Sequence, residues 1–111
     1  KIKECEERLA AHNAEIAISY CRRRAYRAAI SRLTEIMTTY PDYTGLGEVY
    51  HYLGESHFMM RQYDQALPFF TKVVTDYPQL KLAKAATKRL AEIETLKKAP
   101  KDTQTTKTKK R

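Results

Sequence analysis

The run YHYLGESHFMMRQYDQALPFFTKVVTDYP, residues 50–78, decides the fold. Leu53, Gly54, His57, Ala66, Phe70 and Val73 recur at helical steps along it, and Tyr77-Pro78 closes it. Thirty-seven residues upstream, Ile16, Ala17, Tyr20, Ala29, Leu33, Ile36 and Pro41 stand at the same offsets. Two copies of one helix-turn-helix unit are therefore written into the chain.

The spacing has a physical reason. Two helices that touch along a line need small residues where their backbones approach and large ones where a gap opens. Ala17 and Gly54 take the near-contact position of each first helix, and Ala29 and Ala66 that of each second helix. Leu33 and Phe70 follow one turn later to fill the groove. A glycine inside a helix costs roughly 1 kcal/mol of propensity relative to alanine, so Gly54 calls for such a packing role. Tyr40-Pro41 and Tyr77-Pro78 end the second helices, because proline lacks the amide donor and pushes its predecessor out of the α region. The pattern predicts helices over about 2–22, 25–39, 45–60, 63–77 and 80–97. On the last, Leu82, Ala86, Leu90, Ile93 and Leu96 form an apolar stripe suited to capping the pile.

These features resemble the tetratricopeptide repeat, whose period is about 34 residues. The excess of three fits the Tyr43-Thr44-Gly45 stretch between the copies. The expected fold class is all-α, a tetratricopeptide-repeat solenoid of two helix-turn-helix repeats plus a C-terminal capping helix. The expected domain is 1–98, with repeats at about 10–41 and 47–78 and the cap at 80–97; residues 99–111 are expected to be a disordered basic tail.

The chain has 111 residues and a formal charge of +8. It opens at Lys1, already inside a helical pattern, and about three repeats are usually needed for a stable array. The sequence reading therefore expects a fragment, with repeats or a partner covering part of helix one. No run approaches the roughly 18 apolar residues of a membrane span. Cys5 and Cys21 lie 16 residues apart on one helix. That is about 24 Å at 1.5 Å per residue, too far for an intramolecular disulfide. From Lys101 to Arg111 there are five cations against one anion and no apolar residue. Such a tail is a solvated end, a contact for acidic lipid, or a salt-sensitive phosphate binder; nucleic acid is not the expected partner, because Tyr20, Tyr40, Tyr50, Phe70 and Tyr77 fall on packing or helix-ending positions of the repeat, while Tyr26, Tyr43, Tyr52, Phe58, Tyr63 and Phe69 are less determined.

Glu48, His51 and Glu55 share one face of the third helix. A metal is one reading, but no second histidine lies at i+4 and no cysteine is near, so no metal site is assigned. The preferred reading puts Glu48, His51, Tyr52, Glu55 and Met59 along a concave groove facing water or a linear peptide. His12 and His57 read as surface or packing residues. No phosphate loop or nucleophile elbow is present, so neither catalytic residues nor cofactors are expected. Arg22, Arg23, Arg24 and Arg27 cluster at the first turn. They either favour the terminal carbonyls of the helix or form a docking surface for carboxylates.

The run RLAAHNAEIAISYCRRRAYRAAISRLTEIMTTYPDY, residues 8–43, is narrower in its likeness. Arg8-Leu9-Ala10, Ala17 to Tyr20 before a basic turn, Ala25-Tyr26, Ala28-Ala29, Arg32 and Tyr40-Pro41-Asp42 resemble the BamD family. These are tetratricopeptide lipoproteins of the outer-membrane β-barrel assembly machine of Gram-negative bacteria. With the second copy the likeness covers about residues 6–97. It implies a non-catalytic scaffold at the periplasmic face of the outer membrane, held by an N-terminal lipid outside this stretch. It also implies docking on the POTRA region of the barrel-forming subunit, with Arg32 at the place of a docking arginine and Arg22 and Arg23 as neighbours. The alternative is a generic module binding a linear peptide in the groove. The turn departs from the family pattern, reading Arg22-Arg23-Arg24 where a glycine commonly precedes the alanine-aromatic pair, and the lysine-rich end has no family counterpart.

Overall fold

The computed structural model describes the backbone of residues 2–110 and the side chains of residues 4–97. Five helices follow in order: α1 (Ile2–Arg22), α2 (Tyr26–Thr39), α3 (Leu46–Met59), α4 (Tyr63–Asp76) and α5 (Lys81–Lys110). No strand occurs among the described residues. Each helix packs on the next, while α3 also touches α1 and α5, as a stacked pile of helix pairs requires.

The two first helices stop in the same way. The amide of Ala25 donates to the Tyr20 carbonyl (2.8 Å) and that of Arg24 to the Cys21 carbonyl (3.0 Å). In the second copy Gln62 donates to His57 (2.8 Å) and Arg61 to Phe58 (2.9 Å). This six-to-one and five-to-two pairing is the Schellman motif, which places its penultimate residue in the left-handed region. Arg24 and Arg61 both have φ 64°. The second helices end at Tyr40 and Tyr77, whose amides reach the Ile36 (2.8 Å) and Val73 (2.9 Å) carbonyls before the prolines intervene.

Packing follows the small-and-large pattern. Ala17, Ala29, Leu33, Ala66 and Phe70 are all fully buried. A Cβ added at Gly54 would lie 2.8 Å from the Phe70 ring, so the close crossing of α3 and α4 has room for hydrogen only. Gly47 plays the same part against the following loop, where an added Cβ would meet Leu80 at 2.5 Å and Tyr77 at 2.9 Å.

Two apolar clusters result. One joins Ala10, Ala14 and Ala17 of α1 to Leu33, Val49 and Leu53; the other joins Ala66, Phe70 and Val73 to Ala83, Ala86 and Ile93 of α5. Tyr50 packs against both. The loop between the copies is tied back to α1, because Glu7 accepts from the Thr44 amide (3.3 Å) and from the Thr44 hydroxyl.

The helix α5 covers the last pair, with Ala86 and Ile93 fully buried. Its backbone continues to Lys110, whereas the sequence reading closes the cap at 97 and expects a disordered tail over 99–111. After Pro100 no glycine or proline interrupts it. The side chains of residues 98–111 lie outside the described residues.

Candidate functional site

The arginines at the first turn separate into two sets. The Arg23 guanidinium carbon lies 5.3 Å from the centre of the Tyr20 ring and that of Arg32 lies 5.9 Å from it. Local geometry explains half of this, since Tyr20 lies in the last turn of α1 and Arg23 directly follows the helix, three residues on. Packing of α2 on α1 supplies the rest. Arg23 is further held by a 2.9 Å hydrogen bond from Nη2 to the Ser19 hydroxyl. Both arginines are exposed, and neither takes part in an ion pair among the described residues. Two guanidinium groups thus share one aromatic ring, neither ion-paired among the described residues, an arrangement that favours an external anion.

Arg22 points elsewhere. It stands 37 residues, one repeat, before Met59, and its charge acts on Cys21 and Tyr52. The guanidinium groups do not cap α1, whose last carbonyls are taken by backbone amides. Cys21 lies 3.3 Å from the Ser56 hydroxyl, and burial pushes its thiol above the ordinary value. It is a packing residue. Cys5 is exposed.

The groove residues also divide. Glu48 and Met59 are exposed and Tyr52 is half-buried, so they line an accessible stripe of α3. Burial, with the nearby charge of Glu48, raises the Tyr52 phenol. His51, expected on the same stripe, is only 5% exposed. It sits edge-on to Tyr52 (5.2 Å) and Phe70 (5.9 Å), its Nε2 is 3.9 Å from Glu55, and its buried Nδ1 has no hydrogen-bond partner. Residue 51 is three before Gly54, so the face that meets Phe70 also takes in the imidazole.

Glu55 is occupied. Arg89 of α5 donates to both its oxygens, through Nε at 2.8 Å and Nη2 at 3.1 Å, and from Nη1 to Glu92 at 2.8 Å. The same guanidinium lies 4.2 Å above the Phe58 ring. These bonds keep Arg89 protonated well above its usual range. Sequence reasoning passed over Arg89, although its place beside Leu90 on the cap, 34 residues after Glu55, was a signal for a cross-repeat pair.

Burial lowers the His51 pKa against the opposing pull of Glu55. The unfolded chain takes up this proton near the ordinary 6.5, while the folded chain does so only at lower pH. Stability should therefore fall as pH drops through 6.5, and level off once the folded value is passed. Urea midpoints measured between about pH 7.5 and 5 check this. His51→Phe should flatten the slope, and an unaltered slope in that variant would assign the effect to other groups.

A pile of helix pairs with small residues at the crossings and a sealing helix is a tetratricopeptide-type helical repeat. The chain belongs to the YfiO family of outer membrane lipoproteins, whose model matches residues 1–66. The match spans the first pair, all of α3 and the chain up to Ala66, and it bears out the resemblance to the BamD family. The family is of a non-catalytic scaffold type, associated with the outer membrane. No curated protein and no solved structure matches the chain.

Proposed function

We propose that this protein is a non-catalytic adaptor of the outer-membrane β-barrel assembly machinery, docking on the periplasmic POTRA region of the barrel-forming subunit. Residues 1–98 act as one tetratricopeptide-repeat domain, and a lipid at the N-terminus of the full protein holds it at the periplasmic face of the membrane. The observation that carries the reading is the Tyr20 cluster: Arg23 and Arg32 flank one ring, and neither is in an ion pair among the described residues. Acidic groups on the partner complete it. Arg22 adds long-range attraction and makes no part of the cluster.

Replacing Arg32 by Glu should weaken binding to the barrel subunit's POTRA region about tenfold or more, since it puts a like charge where a charge-assisted pair stood. Arg32→Lys should recover only part of the affinity, because an ammonium lacks the planar fork. Calorimetry showing equal affinities for the wild type and Arg32→Glu would remove Arg32 from the interface.

The second reading, a linear peptide held in the concave groove, is favoured by one observation. Met59 is 46% exposed, one of only two large apolar side chains exposed among the described residues. In that reading Glu48, Tyr52 and Met59 hold the peptide, whereas Glu55 and His51 hold the groove's shape. Changing Tyr52 and Met59 while sparing Arg32 separates the two.

A further inference from the structure

The two Schellman turns lie 37 residues apart at the same edge of the pile. Between them is a shallow depression, open to solvent, lined by Arg24, Ala25, Tyr26, Arg27 and Ala28 from the first repeat and Met60 from the second. The surface facing it is mostly apolar. Its rim is cationic: Arg24 and Arg27 are exposed, and exposed Arg61 follows Met60 directly. None of the three takes part in an ion pair among the described residues.

The backbone supplies a second observation. Both Arg24 and Arg61 hold φ at 64°. That conformation costs an L-residue energy and costs glycine none. Local stability would favour glycine at both turns, yet both copies carry arginine. Residues held in this region by the surrounding hydrogen bonds cluster at ligand clamps and other functional sites.

We propose that this edge docks an acidic, extended segment of a partner protein. An apolar side chain of that segment enters the depression against Tyr26 and Met60, and carboxylates on either side of it meet Arg24, Arg27 and Arg61. A lipid headgroup layer offers anionic charge but no apolar side chain to fill the depression, so the protein segment is the better fit. The surface goes beyond the POTRA reading, because it uses no residue of the Tyr20 cluster.

The test uses the full chain and fluorescence anisotropy. The probes are a labelled peptide of glutamates flanking one phenylalanine, the same peptide with alanine at the centre, and vesicles of phosphatidylglycerol in phosphatidylcholine. The variant is Arg24→Gly with Arg61→Gly, which keeps the charge of residues 101–111 unchanged. Affinity for the phenylalanine peptide should fall about tenfold, while the thermal midpoint stays level or rises because glycine relaxes both turns. A weaker binder that folds as well or better cannot be explained by damage to the fold. Arg32→Glu should leave this binding unchanged, which keeps the result independent of the POTRA reading. Equal peptide affinity in wild type and variant would overturn the proposal. So would equal binding of the alanine peptide, or loss confined to the vesicles, which would assign the edge to lipid.

Discussion

Phe70→Ala is expected to remove about 3–5 kcal/mol of stability, as truncation of a fully buried phenylalanine does. A small domain has roughly 5–15 kcal/mol in all, so the variant should sit near its unfolding threshold at room temperature. The reason is local. Phe70 is fully buried, its ring presses on the bare backbone of Gly54, and His51 meets its edge. Part of the void would be lined by the helix backbone at Gly54, which relaxes less readily than side chains. Phe69→Ala provides the comparison, since Phe69 is only half-buried, stacking on His57 and Tyr50. Urea unfolding followed by circular dichroism should rank Phe70→Ala well below Phe69→Ala, and the reverse order would displace this crossing as the centre of the fold.

Arg89→Met should cost about 2 kcal/mol, the scale of a charge-assisted, two-point hydrogen bond with limited exposure. Side-chain exposure is 29% for Arg89 and 22% for Glu55, so solvent screens the pair only in part. Methionine keeps an apolar stem over Phe58 and removes the charge, which isolates the ion pair from packing. The loss should be concentrated in α5: amide exchange there should quicken more than in α1 or α2. A double-mutant cycle with Glu55→Gln checks the assignment, because partners in contact give a coupling of about 0.5–3 kcal/mol. Additive losses would mean that the bonds seen between Arg89 and Glu55 do not latch the cap.

Much of this was legible from the pattern of side-chain size. Gly54 opposite Phe70, and Ala17 opposite the Ala29 and Leu33 pair, name the crossings before any coordinates, because only small residues permit backbones to approach so closely. Tyr-Pro at 40–41 and 77–78 marked the helix ends for an equally local reason. The groove was half legible. A helical stripe of Glu48, His51, Tyr52, Glu55 and Met59 follows from periodicity, but periodicity does not say how wide the neighbouring helix sits. His51 lies at the margin of that stripe, and α4 covers it.

Glu55 shows the other limit. Its own sequence neighbours gave no sign that a guanidinium from the cap would engage both oxygens.

The linear chain by itself determined the five helices apart from the reach of α5, the Tyr-Pro stops, the repeat and the likeness to an outer-membrane scaffold family, since each depends on steric rules acting within a few residues. Tertiary structure alone decided which charges are spent and which are free. It joined Arg89 to Glu55 across 34 residues, brought Arg32 to the ring already held by Arg23, and left the cations at 24, 27 and 61 outside any ion pair among the described residues. Those outcomes depend on the distance between helix faces, a quantity that exists only once the helices have packed.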